Sequence, residues 1–134
     1  MKLEPYIFFY GRCEEALGFY KGVLGGNFEL TRIGDTPMSG HAPPADHNRV
    51  MHATFTAPGL TFMASDGRET KTVDPDEGNV SLCIATDDAA EAERVFTALS
   101  TGGKVVMPYA DAFWGGRFGA LQDKFGVEWF VQGP

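Results

Sequence analysis

The sequence predicts an α+β fold of two βαβββ modules, with eight strands in a curved mixed sheet and two helices packed against it. The first observation is an internal repeat: strand, helix, Gly-Gly, strand and hairpin occur twice, with a period of roughly 75 residues. The second is that each helical stretch is amphipathic and needs a sheet face to cover it. The third is the length of 134 residues, which suits one domain. We expect a single domain, 1–134, with modules 1–66 and 78–132 joined by a linker at 67–77.

The first module begins with a short aromatic strand, Glu4 to Tyr10, followed by a helix from Cys13. Acidic residues in the first turn suit the positive end of the helix dipole, and Gly25-Gly26 lies just past the helix end. The expected strands that follow are Asn27 to Ile33, Arg49 to Ala57 and Leu60 to Ser65. Between the first two of these, Gly34 to Asn48 holds three Pro and two Gly without periodicity, which predicts a long loop.

The second module repeats this order from Asn79. Asp88 followed by Glu91 resembles a capping box, and the apolar residues after it recur at helical spacing. Gly102-Gly103 ends the helix, and a strand follows from Lys104 to Met107. A hairpin then joins Arg117 to Leu121 and Val127 to Val131, because Asp and Gly in the segment between them favour a turn.

The alternation of the strands divides their side chains between a helix side and an open side of the sheet. Val127, Trp129 and Val131 are expected to face a helix, and Glu128 and Phe130 the open side. Two such half-sheets side by side would form a cup, and a concave apolar surface with a few polar groups is a place where small ligands bind. The residues expected to line it are Pro5, Ile7, Phe9, His52, Asn79, Ser81, Cys83, Glu128 and Phe130.

Composition and charge exclude several classes of function. Eighteen acidic against eleven basic residues repel a phosphate backbone, so we expect no nucleic-acid partner. No apolar stretch reaches the 18 or so residues of a membrane span, and the first residues lack the order of a signal peptide, so a cytoplasmic protein without a membrane partner is expected. Cys13 and Cys83 lack the spacing of a zinc or redox site and are expected to be reduced thiols.

His52 and Glu128 are the candidate catalytic residues. His52 can act as a general base or bind a ligand, because an imidazole titrates near neutral pH; alternatively, it can be a hydrogen-bonded residue of the sheet. Glu128 can bind a cation or act as an acid or base, or it can simply be hydrated. No Ser or Cys lies in a recognisable nucleophile motif, and no phosphate-binding loop is found.

The remaining candidates are neutral. Asn79 and Ser81 can orient a ligand through hydrogen bonds, although small polar residues also occur in strands without such a role. Phe113, Trp114 and Phe118 can form an aromatic wall that stacks a planar ligand, or they can pack at the hairpin base or in a subunit contact.

Four segments resemble the PhnB-like branch of the vicinal oxygen chelate superfamily, which includes glyoxalase I, extradiol dioxygenases and bleomycin-resistance proteins. They are YIFFYGRCEEALGFYKGVLGG, VMHATF, LTFMASDG and FWGGRFGALQDKFGVEWFV. The resemblance spans nearly the whole chain. It implies the glyoxalase/bleomycin-resistance fold and a homodimer, but the fold hosts many activities and does not name one.

Metal-using members of that superfamily place four His, Glu or Gln ligands on the floor of the cup. The resemblance puts Pro5, Phe62, Asn79 and Phe130 at those four positions. Three of these side chains offer no lone pair, and an amide oxygen is a poor ligand for Zn²⁺, Ni²⁺ or Fe²⁺. We therefore predict no cofactor and disfavour a divalent metal.

The resemblance and the residues together predict a protein that binds a small, mostly apolar molecule. The expected contact residues are Phe9, His52, Phe62, Asn79, Ser81, Trp114, Glu128 and Phe130. Two alternatives stay open: a metal-dependent lyase, isomerase or dioxygenase with a non-standard site at His52 and Glu128, and a drug-sequestering protein of the bleomycin-resistance type. PhnB-like proteins often carry the label of a 3-demethylubiquinone methyltransferase, but this chain lacks a Gly-rich loop between a parallel strand and a helix, so methyl transfer is not expected.

Overall fold

The computed structural model describes residues 1–134 and divides the chain into two compact units, Met1–Thr72 and Val73–Pro134. Each unit contains four strands and one α-helix in the order βαβββ. The division falls inside the expected linker, 67–77. The predicted α+β class and the two βαβββ modules are confirmed, and the eight strands are divided between two four-stranded mixed sheets.

The first unit contains one mixed sheet covered by one helix. Its elements are β1 (Tyr6–Phe8), α1 (Cys13–Leu24), β2 (Asn27–Arg32), β3 (Val50–Ala57) and β4 (Leu60–Ser65). The sheet order is β1-β4-β3-β2, in which β1 and β4 are parallel and the other neighbours antiparallel. Helix α1 buries the apolar stripe that the sequence predicts, including Leu17 and Tyr20.

The end of α1 requires glycine for two reasons. Gly25 and Gly26 have φ values of 73° and 79°, which residues with a Cβ rarely adopt. A Cβ on Gly26 would also lie 2.2 Å from the carbonyl oxygen of Thr56. The Gly-Gly pair therefore lets the chain turn directly from the helix into β2 against the end of β3.

The loop from Gly34 to Asn48 is more regular than the sequence suggests. It contains three short 3₁₀ helices, Ile33–Asp35, Pro37–His41 and Pro44–Asp46. His47 Nε2 lies 3.0 Å from the carbonyl oxygen of Ser39, within hydrogen-bond distance. Proline at the first position of two of these turns presets the backbone angle that they need.

The second unit repeats the first. Its elements are β5 (Leu82–Ala85), α2 (Ala89–Ser100), β6 (Lys104–Asp111), β7 (Arg117–Gln122) and β8 (Glu128–Gly133). The sheet order is β5-β8-β7-β6, and β5 is parallel to β8. Strand β5 begins at Leu82 rather than at Asn79 and is therefore shorter than predicted. Strand β6 continues past Met107 to Asp111, with two irregularities in its pairing with β7.

Helix α2 starts at a carboxylate cap, as the sequence predicts. The Asp88 side chain accepts a hydrogen bond from the backbone N–H of Glu91 at 3.0 Å. The Glu91 carboxylate does not return to Asp88 as in a full capping box but accepts from the Thr86 hydroxyl at 3.1 Å. The buried stripe of α2 covers one face of its sheet.

Neither α1 nor α2 has the length and the apolar character of a membrane-spanning helix.

Candidate ligand-binding face

The open face of the second sheet is set by the alternation of β8. Trp129 and Val131 are buried on the side of α2, whereas Glu128 and Phe130 are half-buried on the opposite side. The sequence predicts this division, and the structure confirms it. The parallel register places Leu82 beside Trp129 and Cys83 beside Phe130, so Cys83 also belongs to the open face.

A polar pair lies at one end of this face. The Ser81 hydroxyl donates a short hydrogen bond to the Glu128 carboxylate. Ser81 precedes the first residue of β5, and the register of β5 with β8 brings its side chain to Glu128. The two side chains are therefore together, as their shared predicted face implies.

Aromatic rings extend from this pair toward the β6–β7 turn. Phe130 and Phe118 have ring centroids 5.3 Å apart, Phe118 and Trp114 are 5.5 Å apart, and Trp114 and Phe113 are 4.8 Å apart. We call these four residues the aromatic row. Successive rings are tilted or edge-on to each other, as aromatic pairs prefer.

A groove lies beside the aromatic row, between β6 and the β6–β7 turn. Its volume is about 440 Å³, within the size range of small-molecule sites. Asp111 is the charged residue on its wall, and the other side chains are apolar. The groove is lined by Met107, Pro108, Ala110, Asp111, Ala112, Phe113, Trp114 and Phe118.

Cys83 lies on the same face, beside Phe130. Its thiol sulfur is 3.5 Å from Oε1 of Gln132. The partial burial of the sulfur raises the pKa of the Cys83 thiol above its usual range. The thiol is therefore a polarisable neutral contact on this surface, and both cysteines are free as predicted.

The open face of the first sheet carries a second polar and aromatic group. The Tyr6 hydroxyl oxygen lies 3.2 Å from His52 Nδ1, and the Phe8 ring lies 5.2 Å from the Tyr6 ring. His52 thus forms a hydrogen bond within the sheet, which is one of the two roles that the sequence leaves open for it. A group bonded to a phenol can still bind or exchange a proton with a ligand through its other nitrogen.

The expected positions of Phe9 and Phe62 on the open face are wrong. Phe9 packs against the α1 residue Tyr20 with ring centroids 5.9 Å apart, and Phe62 meets the same ring at 5.9 Å. Both are buried. Their strands carry large apolar residues on both faces, so alternation alone does not show which set faces the helix.

The same shift of one residue affects the rest of β1. Pro5 and Ile7 share the side of Phe9, while Tyr6 and Phe8 occupy the open face in their place. The observed contact of Tyr6 with His52 fixes this assignment. The sequence does not indicate the contact between Tyr6 and His52, because it depends on the pairing of β1 with β4 and of β4 with β3.

Asn79 also differs from its expected place. It is exposed and lies outside β5, which begins at Leu82. The alternation that put Asn79 on the open face with Ser81 therefore does not extend to it. Met107 and Asp111, which were not among the sequence candidates, join the site through the length of β6 and the shape of its turn, beside the predicted candidate Phe118.

The side chains do not provide the ligands that a divalent metal requires. No group of three His, Cys, Asp or Glu side chains converges in the structure. Within its own unit His52 meets a tyrosine hydroxyl and Glu128 a serine hydroxyl. Neither arrangement is the three-ligand or four-ligand set that zinc and related ions use.

The N-termini of the two helices do not provide what S-adenosylmethionine requires. Helix N-termini that hold such cofactors leave backbone N–H groups free behind a Gly-rich turn. Here the N-terminus of α1 is occupied by Asp66, which accepts from the N–H of Cys13 at 2.8 Å, and that of α2 by Asp88. The residues do not fit this cofactor.

The fold defines the class: a βαβββ repeat protein with the fold of the glyoxalase/bleomycin resistance/dioxygenase superfamily. A member of that superfamily from Sphaerobacter thermophilus has the same fold, with a TM-score of 0.57 at 19% identity over 100% of this chain and 98% of that one. Residues 1–132 match the family model described as 3-demethylubiquinone-9 3-methyltransferase. The chain belongs to that family, which confirms the PhnB-like resemblance.

Two solved structures with higher identity agree. Protein PA1353 from Pseudomonas aeruginosa has 35% identity and a TM-score of 0.85, over 99% of this chain and 97% of that one. A Bacillus cereus protein described as a putative 3-demethylubiquinone-9 3-methyltransferase, PhnB protein, has 28% identity and a TM-score of 0.78, over the full length of both chains.

Proposed function

We propose that this protein binds a small, mostly apolar molecule on the open face of the second sheet, without a catalytic metal. The observation that carries the proposal is the aromatic row, which joins an apolar groove at one end to the Ser81–Glu128 pair at the other. Apolar walls supply most of the binding free energy of small ligands, and a few polar groups fix their orientation. Both parts are present here in one unit.

The metal-free part of the proposal is supported by the side chains themselves. The resemblance assigns the four metal-ligand positions to Pro5, Phe62, Asn79 and Phe130, and of these only Phe130, an apolar ring, lies on the open face of a strand. A hydroxyl-bonded Glu128 is a hydrogen-bond acceptor for a ligand rather than part of a metal centre. We also infer binding rather than methyl transfer, because Asp66 and Asp88 already occupy the N-termini of the two helices.

Fluorescence titration with Nile red, an uncharged planar probe, tests the proposal. Protein dialysed against EDTA is expected to bind the probe saturably with one site per chain. Phe118→Ala, which breaks the aromatic row at its centre, is expected to weaken binding about tenfold, since a stacked ring contributes about 1 to 1.5 kcal/mol. Phe19→Ala on α1 is the matched control and is expected to leave binding unchanged.

Two results would overturn the proposal. Equal weakening in Phe118→Ala and Phe19→Ala would show that the probe does not use this face. Loss of binding after EDTA, restored by Zn²⁺, Ni²⁺, Mn²⁺ or Fe²⁺ and absent in His52→Ala, would show a metal site. The homodimer implied by the resemblance is a separate proposal, which light scattering on the same sample tests.

A further inference from the structure

We propose that the molecule bound on the open face is a planar aromatic cation, with its rings on the aromatic row and its positive charge at Glu128. This inference rests on the proposed function and names the class of its ligand. It follows from three features of the second unit: a carboxylate that forms no ion pair, a second carboxylate near it, and aromatic faces along the same surface.

The first feature is that the Glu128 carboxylate has no cationic partner. Glu128 is half-buried and accepts a hydrogen bond from Ser81, but it takes part in none of the ion pairs of the structure. Lys104 on β6 pairs with Gln122 on β7, which pairs with Glu128 on β8, so Lys104 is on the same face one strand away and forms no ion pair with Glu128. A carboxylate partly removed from water and without a cation attracts one from a ligand.

The second feature is the distribution of the neighbouring charges. At the end of the face near Glu128, the Asp76 carboxylate accepts a hydrogen bond from Gln122 at 3.1 Å. At the other end, Asp111 lies on the wall of the groove with its side chain 96% exposed and 3.6 Å from Arg117. No Lys or Arg lines the groove. An anionic ligand would meet the carboxylates of Glu128 and Asp76 at one end of this surface, whereas Asp111 at the other end is paired with Arg117.

The third feature is the row of rings itself. The Trp114 side chain is 56% exposed, and the Phe118 ring between it and Phe130 is partly accessible. The faces of aromatic rings are negative and attract cations, and most strongly so for Trp. A planar ligand that carries its charge within or beside its rings satisfies both the stacking surface and the carboxylates, whereas an aliphatic ammonium would use only the carboxylates.

A pair of probes of the same shape separates the charge from the stacking. N-methylacridinium is a permanent cation, and acridine is its uncharged counterpart at neutral pH. Fluorescence titration at low ionic strength is expected to show N-methylacridinium binding at least about tenfold more tightly than acridine, as one partly desolvated charge pair provides. Raising the salt concentration is expected to reduce this preference, because a partly exposed pair is screened.

Two matched variants locate the effect. Glu128→Gln keeps a side chain that can bond to Ser81 and is expected to reduce the preference to within about twofold. Glu93→Gln removes the same charge from α2, on the opposite side of the sheet, and is expected to keep the preference. Retention of the preference in Glu128→Gln would overturn the assignment, and so would its loss in Glu93→Gln, which would indicate only the net charge of the chain.

The outcomes also distinguish this inference from the proposed function. Equal affinity for the two probes, with both weakened by Phe118→Ala, would refute the cationic ligand and leave the binding face intact. Failure of both probes to bind would refute the binding face itself.

Discussion

Asp123 accepts a hydrogen bond from the indole N–H of Trp129 at 2.8 Å, and this contact anchors the strand that carries Glu128 and Phe130. The other carboxylate oxygen of Asp123 accepts from the backbone N–H groups of Phe125 at 2.9 Å and Val127 at 3.0 Å. One buried carboxylate therefore shapes the hairpin turn and fixes the first inward residue of β8. The position of Glu128 on the open face follows from it.

Removal of this carboxylate is expected to destabilise the protein strongly. Asp123→Ala removes the acceptor of three hydrogen bonds, and we expect a loss of roughly 3 kcal/mol in the free energy of unfolding. Asp123→Asn keeps one acceptor oxygen for the turn but places an N–H group near the indole, so its cost should be smaller. Urea unfolding of both variants, repeated in a Trp129→Phe background, measures the coupling. An Asp123→Asn cost that is identical in the two backgrounds would contradict this account.

Asp66 has the equivalent part in the first unit. Its two carboxylate oxygens accept from the N–H of Cys13 at 2.8 Å and from the N–H of Val50 at 2.7 Å, which connects the start of α1 to the start of β3. Asp66→Asn can satisfy only one of these donors, and a loss of about 1 to 3 kcal/mol is expected in chemical unfolding. Exposed Asp35→Asn is the control, with an effect within about 0.5 kcal/mol. Equal effects of the two substitutions would refute the role of Asp66.

Tyr109 is expected to be replaceable with a gain in stability. Its hydroxyl oxygen is buried and has no hydrogen-bond partner, while its ring packs on Phe96 with centroids 5.7 Å apart. Tyr109→Phe keeps the ring and removes the unsatisfied hydroxyl. Thermal unfolding should therefore show an increase of up to about 1 kcal/mol in the free energy of unfolding. Tyr6→Phe, which removes a bonded hydroxyl, should give no gain. A clear loss in Tyr109→Phe would show that the hydroxyl is satisfied.

The two cysteines are expected to differ in reactivity. Burial, together with the negative charges of Asp66 and Glu14, raises the pKa of the Cys13 thiol to about 12, whereas Cys83 is exposed. A thiol reagent at mildly alkaline pH should therefore modify Cys83 in the folded protein and both residues after unfolding. Rapid modification of Cys13 in the folded state would contradict the structure.

The same pKa shift predicts a dependence of stability on pH. Because the Cys13 pKa rises from 9.0 in the unfolded chain to about 12 in the folded one, the folded state holds its proton over that interval. The contribution of the Cys13 thiol to the free energy of unfolding is complete below pH 9.0 and is lost as the pH rises toward about 12. Unfolding midpoints should fall less steeply over this range in Cys13→Ala than in the natural sequence, and parallel slopes would contradict the assignment.

Alternation predicted the second half of the site better than the first. In β8 the polar residues Glu128 and Gln132 belong to one alternating set and Trp129 and Val131 to the other, so the two sets could be assigned to opposite faces, and the structure agrees. In β1 every residue is large and apolar or aromatic, so only the packing of Phe9 on Tyr20 decides which set is buried. Strands without polar residues carry no such signal in the sequence.

The aromatic row could be predicted only in part. Its members on the hairpin are visible in the sequence, but their contact depends on the tight turn closed by the N–H of Ala112 and the carbonyl of Gly116 at 2.9 Å. Gly115 and Gly116 adopt positive φ there. The extension of β6 to Asp111 depends on bulges in its pairing with β7, which no local pattern indicates.

The most direct test of the binding face uses the two tryptophans as reporters. Trp114 belongs to the aromatic row, whereas the Trp129 indole is buried and bonded to Asp123 on the other side of the same sheet. In a ¹H–¹⁵N NMR titration with N-methylacridinium, we expect the Trp114 indole signal and the Phe130 amide signal to shift saturably while the Trp129 indole signal stays in place. A saturable titration that leaves the Trp114 signal unmoved would contradict this expectation.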